Sequence, residues 1–458
     1  MEKKHSIMQT MKPNKLFIKY LIPSLFGMIL MAINILVDGL FVSHGVGDKG
    51  LAGVNIAVPI YSVILSVSLW IGMGGATLYS IALGQNNQHR AKEVFTHSII
   101  LAIATTGLII VFCLLFEQPL AYLFGANDSI ISYVDSYLHI ILLFGLVFVI
   151  ENILSIFIRN DGNPTLAMLG LIVTSVVNII LNYLFIFIFR WGVKGAAYAT
   201  VIGTFIGILI LLTHFLTKKK QLGFVRTKLN FSIVGSTLLI GFPSFIVEGS
   251  AALTMVAFNI TFSHFVGETG IVAYAAVNYM HTVFLMLFIG IGAAIQPITS
   301  YHYGAKLYKR MKEFIRIAII TGLSLGIAVF IVGLVGKGLM IDLFGIDVPQ
   351  IINYTRIGIV YFFAGYLFLG INMVFVEFYQ SIKKTRVAIW MILCHSIILF
   401  IPLLWILPSL FGPNTIWLVF PISEGLTLLI TYLALKFKWI ELVPREMPEL
   451  PKSQVNQK

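Results

Sequence analysis

Residues 80–93 of this chain read SIALGQNNQHRAKE, and residues 300–313 read SYHYGAKLYKRMKE. Serine, glycine, arginine, lysine and glutamate recur in the two segments at an offset of 220 residues. The same offset relates three further sets of residues, which are Pro23-Ser24 and Pro243-Ser244, Gly47 and Gly50 with Gly267 and Gly270, and Leu123-Phe124-Gly125 with Leu343-Phe344-Gly345. The chain is therefore interpreted as a duplication whose two halves share one fold.

The composition places both halves in a membrane. Apolar residues make up 58% of the chain and charged residues 11%, whereas a soluble chain has about 25% charged residues. Twelve segments are apolar enough and long enough to cross a bilayer, which takes about 20 residues. They are 16–43, 51–83, 94–116, 133–158, 164–189, 195–217, 236–262, 270–302, 314–336, 353–380, 387–410 and 414–437. The first is too long for a cleavable signal sequence, so we expect it to be retained.

The distribution of basic residues predicts the topology. With twelve crossings, five of the 31 Lys and Arg residues lie on one side of the membrane, namely Lys49, Arg190, Lys194, Lys337 and Arg356. The positive-inside rule then places both termini in the cytoplasm of a multi-pass protein of the cell (inner or plasma) membrane. Runs such as Lys218-Lys219-Lys220 are topology signals near anionic lipid. The net charge of +12 therefore does not indicate a nucleic-acid partner.

The repeat predicts an all-α membrane protein with twelve transmembrane helices in two parallel six-helix lobes. An even number of spans per repeat relates the lobes by a pseudo-two-fold axis along the membrane normal, and secondary transporters place their substrate between such repeats. We expect an N-terminal lobe over 1–217, a basic cytoplasmic linker over 218–235, and a C-terminal lobe with a short tail over 236–458. The sequence contains no phosphate-binding G-x-x-x-x-G-K-[ST], H-E-x-x-H or G-x-S-x-G motif, which favours a transporter over an enzyme and predicts no cofactor.

Carboxylates inside the spans are the candidate functional residues, because burying a charge in a bilayer is costly. The duplication did not copy them. At the 220-residue offset Asp38 corresponds to Phe258, Glu248 to Met28, Glu424 to Thr204 and Glu377 to Phe157. Groups that break the repeat are expected to carry the chemistry rather than to hold the bundle together.

Asp38 is the strongest candidate. Asn178 and Asn182 share one helix face, and so do Thr200 and Thr204, because each pair is four residues apart. A carboxylate among amide and hydroxyl oxygens can hold a proton or coordinate Na⁺, and the alternative is a polar helix-packing network. The candidates for a substrate site or a second cation site are Glu248, Glu424, Thr204 and Glu151.

The other acids in the spans, the cysteines, and the Met and aromatic residues are weaker indications of function. Asp135 and Glu377 lie nearer span ends, so we expect them to be solvated or ion-paired. Cys113 and Cys394 are expected to be apolar fillers rather than a disulfide or metal pair. Met and aromatic residues are expected to line a central cavity for varied apolar ligands. A carboxylate in that cavity favours lipophilic organic cations as partners, with help from cation–π contacts.

The motifs resemble those of multidrug and toxic compound extrusion (MATE) transporters, and most of all the DinF-like branch. The likeness runs over about 15–440 and includes Val37-Asp38-Gly39-Leu40-Phe41, Asn178-Ile179-Ile180-Leu181-Asn182 and Gly192-Val193-Lys194-Gly195-Ala196-Ala197. It implies a monomeric antiporter with V-shaped lobes that exports organic cations in exchange for H⁺ or Na⁺.

The resemblance also implies a cation site in the N-terminal lobe. Asp38, Asn178 and Thr200 match positions of that site, whereas Asn182 stands where many relatives carry Asp. Glu248 matches an acid of the C-terminal lobe in the NorM-like branch. Two alternatives stay open, which are a lipid-linked oligosaccharide flippase with a basic cavity, and a channel or non-transporting membrane protein.

Overall fold

The computed structural model describes residues 8–217 and 220–443, and this part of the chain is helical with no β-strand. The terminal arms and the first two lysines of the predicted topology signal at 218–220 lie outside the described residues. The helices of the first half are α1 Pro13–Val46, α2 Asp48–Gly84, α3 Gln88–Leu115, α4 Glu117–Leu123, α5 Ile131–Leu143, α6 Gly145–Asn160, α7 Pro164–Tyr183 and α8 Gly192–Leu212. Those of the second half are α9 Phe231–Phe265, α10 Glu268–Gly304, α11 Tyr308–Asp342, α12 Pro349–Phe363, α13 Tyr366–Ser381, α14 Thr385–Leu393, α15 Phe400–Phe411 and α16 Val419–Lys436.

The helices make a multi-pass membrane protein. Ten spans in the described residues are long and apolar enough to cross a membrane, and two bent pairs bring the number to twelve. A π-helical turn over Leu184–Ile188 extends α7, and another over Cys394–Ile398 joins α14 to α15. Short 3₁₀ turns over Thr213–Leu216 and Pro413–Leu418 complete the sixth and twelfth spans. The all-α prediction with twelve spans is confirmed.

The fourth span of each half is broken, which the hydropathy pattern did not indicate. Helices α5 and α6 meet at 52°, and α12 and α13 meet at 43°. Gly145 and Gly365 stand at the two breaks, at equivalent positions of the repeat. A Cβ on either glycine would collide with a packed side chain, Ile110 in one half and Phe420 in the other. Each break therefore lets a neighbouring helix approach closely.

The connections also repeat. Gly47 and Gly267 join the first two spans of each half with φ values of 92° and 77°, a region that glycine adopts without strain. The linker between the halves is shorter than the predicted 218–235, because α9 already begins at Phe231. Asn230 caps that helix with its side chain.

The two halves contact each other mainly through α1 and α2 of one and α9 and α10 of the other. Helix α1 packs on α10, α9 packs on α2, and α2 packs on α10. Gly74 leaves room for the backbone of Thr237, and Gly241 leaves room for that of Trp70. The packing is therefore reciprocal, because the first helix of each half contacts the second helix of the other, as expected for a parallel repeat.

The contact is tightest at one end of the bundle, which we call the linker end because the linker between the halves lies there. The last half of α2 is buried on all sides at this end, and so is the last half of α10. Towards the opposite end the side chains of α1 and α9 are exposed, with Leu40 and Leu253 each 56% exposed. The halves are therefore closely packed at the linker end, and a cavity lies between them beyond it.

Candidate ion-coupling and substrate site

Asp38 lies in a polar network that joins α1 to α7. The side chain of Asn182 donates from Nδ2 to Asp38 Oδ1 at 2.5 Å and to Asn178 Oδ1 at 3.1 Å. Asn178 and Asn182 are one helical turn apart and are both buried. The predicted shared face of α7 is therefore directed at α1, and it brings two amides to the carboxylate.

Asn34 is a member of this network that the sequence analysis did not select. Its Nδ2 donates to Asn178 Oδ1 at 2.7 Å. Asn34 precedes Asp38 by one turn, just as Asn178 precedes Asn182, so α1 and α7 are joined by two parallel polar contacts. The four-residue spacing that identified the asparagine pair also applies to Asn34 and Asp38.

The two threonines on α8 have different contacts. Thr200 Oγ1 accepts a hydrogen bond from Asn178 Nδ2 at 3.1 Å and donates to the carbonyl of Ala196 at 3.0 Å. Thr204 donates to the carbonyl of Thr200 at 2.8 Å. Thr200 is thus part of the Asp38 network, whereas the hydroxyl of Thr204 is satisfied within its own helix.

One oxygen of the network is unsatisfied within the described part of the chain. Asn182 Oδ1 is buried and accepts no hydrogen bond from any residue there. The orientation of this amide follows from its neighbour, because only an N–H group lies favourably against a carboxylate oxygen. Asp38 together with this oxygen offers a place for a proton or for a cation that prefers oxygen ligands. Rotation of the Asn182 amide would turn its N–H groups away from an ion at this place and its oxygen towards it.

A cavity of about 240 Å³ lies between the halves and reaches this network. Asn34, Thr200 and Thr204 are in its wall. Its apolar lining includes Met28, Met31, Met73, Met373, Tyr61, Phe148, Leu65 and Leu171. Methionine and aromatic side chains adapt to ligands of different shape, so the cavity suits apolar molecules of varied outline.

Three carboxylates line the same cavity. Glu151 comes from the first half, and its Oε1 accepts a short hydrogen bond from Thr174 Oγ1. Glu248 and Glu377 come from the second half. Glu377 was expected near a solvated span end, but Gly292 of α10 packs against its side chain and it lies in the cavity wall.

Two other acids lie elsewhere. Asp135 accepts a hydrogen bond from Gln118 at 3.2 Å and lines a separate pocket. Glu424 is 1% exposed in the second half, where Asn372 donates to its Oε2 at 2.6 Å and His395 lies 3.2 Å from its Oε1. Neither acid lines the central cavity. The two cysteines, Cys113 and Cys394, are both free thiols.

Arg159 is the residue of the cavity that the sequence analysis missed. The predicted fourth span ended at residue 158, which left the arginine among the cytoplasmic charges. In the structure α6 continues to Asn160, and Arg159 is 8% exposed with its side chain in the cavity wall. The helix ends two residues later than predicted, and hydropathy alone does not show that the arginine near its end lies in a cavity wall.

Two helical bundles around a central cavity, with an ionisable network at its edge, define a secondary transporter of the membrane. The MatE family model matches residues 23–184 and again 243–406, so the two matches begin 220 residues apart. The chain belongs to the MatE family, and the predicted resemblance is confirmed.

Similar proteins span nearly the whole chain. The multidrug export protein MepA of Staphylococcus aureus (strain N315) is 26% identical over 428 residues, which are 92% of this chain and 93% of that protein. MepA of Staphylococcus saprophyticus is 24% identical over 396 residues, which are 85% of this chain and 86% of that protein.

Solved structures share the fold. The MATE multidrug transporter DinF-BH, solved as a complex with a small molecule, is 31% identical, with a TM-score of 0.84 over 93% of this chain and 97% of that one. An outward-facing MATE family transporter of the MOP superfamily is 20% identical, with a TM-score of 0.89 over 94% of this chain and 97% of that one.

Proposed function

We propose that this protein is an antiporter that exports lipophilic organic cations in exchange for H⁺. The observation that carries the proposal is that Asp38 and the substrate cavity share a wall. Asn34 and Thr200 line the cavity, and both bind Asn178, which contacts Asn182 and through it Asp38. A change of charge at Asp38 is therefore transmitted to the cavity through two amides, those of Asn182 and Asn178.

The donors around Asp38 favour a proton over Na⁺ as the coupling ion. Asn178 Oδ1 already accepts N–H groups from Asn34 and Asn182, so its oxygen is committed to hydrogen bonds. Na⁺ needs oxygen lone pairs, and with Asn at position 182 the network has one carboxylate to provide them. Protonation of Asp38 needs only one rearrangement, the rotation of the Asn182 amide so that its oxygen accepts the new O–H group.

The coupling step follows from this geometry. Protonation removes the charge of Asp38, and the contact with Asn182 changes from a charge-assisted to a neutral hydrogen bond, which is about half as strong. Helices α1, α7 and α8 then repack, and the wall of the cavity moves with Asn34 and Thr200. The gradient supplies enough energy, because one charge gains about 2.3 kcal/mol per 100 mV and one pH unit adds about 1.4 kcal/mol.

The charges of the cavity favour cationic substrates. Glu151, Glu248 and Glu377 provide carboxylates, and Met28 and Tyr61 belong to the adaptable apolar lining. The relatives named as multidrug export proteins, and a related multidrug transporter of known structure, support a substrate of this class.

The orientation follows from the positive-inside rule. We place both termini and the linker in the cytoplasm, in the cell (inner or plasma) membrane, with the protein as a monomer. The closed linker end then faces the cytoplasm, and the cavity opens outwards. This is a state in which a substrate has been released or a proton can enter, as alternating access requires.

The test uses purified protein in liposomes, with a cationic dye added to the external buffer. A pH gradient is expected to drive dye accumulation, and Asp38→Asn is expected to abolish the response to the gradient while dye binding persists. Accumulation driven by a Na⁺ gradient alone would replace H⁺ by Na⁺ as the coupling ion. Ion leak without saturable dye exchange would indicate a channel and contradict the proposal.

A flippase for a lipid-linked oligosaccharide is the less favoured function. Such a cavity needs several basic groups for a pyrophosphate, whereas this cavity has three carboxylates and one arginine in its described lining.

A further inference from the structure

Residues 8–12, which precede α1, bind the second half of the protein, and we call them the arm. Residues 8–10 form a helical turn, and α1 begins at Pro13. The guanidinium of Arg310 on α11 donates from Nη2 to the carbonyl oxygen of Met8 at 3.4 Å and to that of Met11 at 2.6 Å. The arm therefore joins the start of the first half to the second half at the linker end.

Arg310 is held in position by its neighbours on the second half. Its Nε donates to His302 Nε2 at 3.3 Å, and His302 Nδ1 lies 2.7 Å from the carbonyl oxygen of Ile298. Because a carbonyl oxygen can only accept, Nδ1 carries the ring proton and Nε2 is free to accept from Arg310. The guanidinium also lies over the ring of Phe314, 5.8 Å from its centroid. These contacts direct Nη2 at the arm.

Two further contacts attach the arm. Gln9 Nε2 donates to the hydroxyl of Tyr301 at 3.2 Å. Met8 is 9% exposed, and its sulfur accepts from the hydroxyl of Tyr20 on α1 at 3.8 Å. A helix end leaves carbonyl oxygens without a donor in their own helix, and a hydrogen bond from a charged group is about twice as strong as a neutral one. The contact with Arg310 is therefore the strongest attachment of the arm.

The repeat shows that this contact belongs to one half only. Arg90 and Glu93 of the first half correspond to Arg310 and Glu313 of the second. Arg90 Nη1 donates to Glu93 Oε2 at 3.4 Å within α3. Glu313 is exposed, and within the described part of the chain Arg310 forms no ion pair with it. The duplication copied the arginine, but the second copy binds the arm rather than its own helix.

Helix α1 is attached to a different half at each end. Far from the linker end, Asp38 and Asn34 bind α7 of the first half, and Gly47 connects α1 directly to α2. At the linker end the arm binds Arg310. Because the first half holds α1 at three places, we expect α1 to move with the first half when the halves rock. The arm lies at the end where the separation of the halves is then largest.

We propose that the arm keeps the linker end closed by binding Arg310, and that it detaches from Arg310 before the linker end opens. The arm thereby sets the ratio of the two states between which the transporter alternates. The inference goes beyond the proposed ion and substrate, because it requires only that the halves alternate.

A helix α1 that moves with the second half is the competing explanation. The contact between the arm and Arg310 would then persist in both states. Its loss would lower the stability of the protein but would not change the ratio of open to closed linker ends. The experiment therefore measures that ratio and the stability separately.

The ratio is measured through a cysteine that is buried only while the linker end is closed. Ser300 is 0% exposed and lies on the face of α10 that carries Gln296 and Gly304, both of which contact the first half. Ser300→Cys, in purified full-length protein without Cys113 and Cys394, is treated with a water-soluble maleimide. The rate of its modification is proportional to the open fraction, even where that fraction is small.

Arg310→Gln is expected to raise the modification rate about tenfold, which corresponds to the loss of one charge-assisted contact. Gln9→Ala removes a neutral hydrogen bond and should raise the rate about threefold. Arg90→Gln is the matched control, because this equivalent arginine bonds within its own helix, and it should stay within about twofold of the parent protein. Size-exclusion chromatography and the unfolding midpoint report whether each variant is folded. If Arg310→Gln does not fold, Gln9→Ala decides the question.

The outcomes separate this inference from the proposed function. An unchanged rate in the folded Arg310→Gln and Gln9→Ala variants, or an equal rise in Arg90→Gln, would overturn the role of the arm. The maleimide assay measures no transport, so failure of the wild-type protein to accumulate dye in liposomes would contradict the proposed function and leave the role of the arm standing.

Discussion

Gly84 and Gly304, which are 220 residues apart in the chain, face each other across the interface at the linker end. A Cβ on Gly84 would overlap the carbonyl oxygen of Tyr301, and a Cβ on Gly304 would overlap that of Ile81. The two residues end the equivalent helices α2 and α10. The repeated glycine therefore lies at the pseudo-two-fold axis, where the backbones of both halves touch.

Substitution of this glycine is expected to open the linker end. Gly84→Val places two methyl groups where the backbone of α10 lies, and overpacking of this kind costs about 1–3 kcal/mol. Because the clash exists only while the linker end is closed, the halves should approach each other at the opposite end instead. Spin labels at Leu40 and Val256, in a background without Cys113 and Cys394, report the distance between α1 and α9.

The control for that substitution is Gly107→Val on α3, where a Cβ meets no other atom within 4 Å. It should leave the distance distribution unchanged. If Gly84→Val also left the distance distribution unchanged, opening of the linker end would not be coupled to closure of the opposite end.

Gln296 is expected to stabilise the closed linker end through hydrogen bonds. Its amide accepts from Asn160 at 3.0 Å and donates to Thr77 at 3.0 Å, and all three residues are buried. Gln296→Ala leaves the Thr77 hydroxyl without this bond, and an unsatisfied buried group costs about 1–3 kcal/mol. The thermal unfolding midpoint should fall, whereas Gln118→Ala at an exposed site should have little effect. Equal midpoints for the two variants would contradict the role of Gln296.

Asp38 is expected to couple the proton to the substrate without binding the substrate itself. Asp38→Asn keeps the size of the side chain but cannot take up a proton. Gradient-driven dye uptake in liposomes should disappear, while exchange of labelled for unlabelled dye at equal pH continues. Asp342→Asn, at an exposed position, is the control and should behave as the wild type. Normal uptake by Asp38→Asn would remove this residue from the mechanism.

Asn182→Asp is expected to change the ion that the site prefers. The substitution replaces an N–H donor that lies 2.5 Å from Asp38 with a second carboxylate. Two carboxylates at this distance cannot both stay charged without a cation between them, so the variant should gain affinity for Na⁺. An unfolding midpoint that rises with NaCl but not with choline chloride supports the expectation, and identical responses to both salts count against it.

Glu424 is expected to stabilise the second half rather than to bind substrate. It is buried between Asn372 and His395 and lies outside the lining of the central cavity. Glu424→Ala should lower the unfolding midpoint because both neighbours lose a partner. Dye affinity in the folded fraction should stay within about twofold, well below the tenfold that one charge-assisted contact is worth. A selective loss of dye binding or of proton dependence would instead assign Glu424 to a second ion site.

Much of the architecture was predictable because it depends on patterns along the chain. The bilayer requires long apolar helices, so the distribution of apolar residues along the chain gives the number of spans. The repeat predicted which glycines are equivalent, and Gly84 and Gly304 do occupy equivalent places. The spacing of Asn178 and Asn182 predicted a shared helix face, since residues four apart are neighbours on a helix.

The site was less predictable because distance along the chain says little about distance between helices. Asp38, Asn178 and Thr200 were grouped as one site by the resemblance, whereas spacing along the chain does not show that α1 lies against α7. Glu424 was grouped with the cavity candidates because it, too, is an acid within a span. Only the packing of the helices separates an acid in the cavity wall from one enclosed within a half.

The sequence by itself determined a duplicated twelve-span protein and the set of acids that the duplication did not copy, because hydropathy and repeats are properties of the chain. The tertiary structure decided which of those acids share a cavity, and it added Asn34 and Arg159 to the site. Arg159 shows the physical reason most clearly. It lines a cavity that Glu377 of the other half also lines, and the packing of one half on the other is not visible in a local sequence pattern.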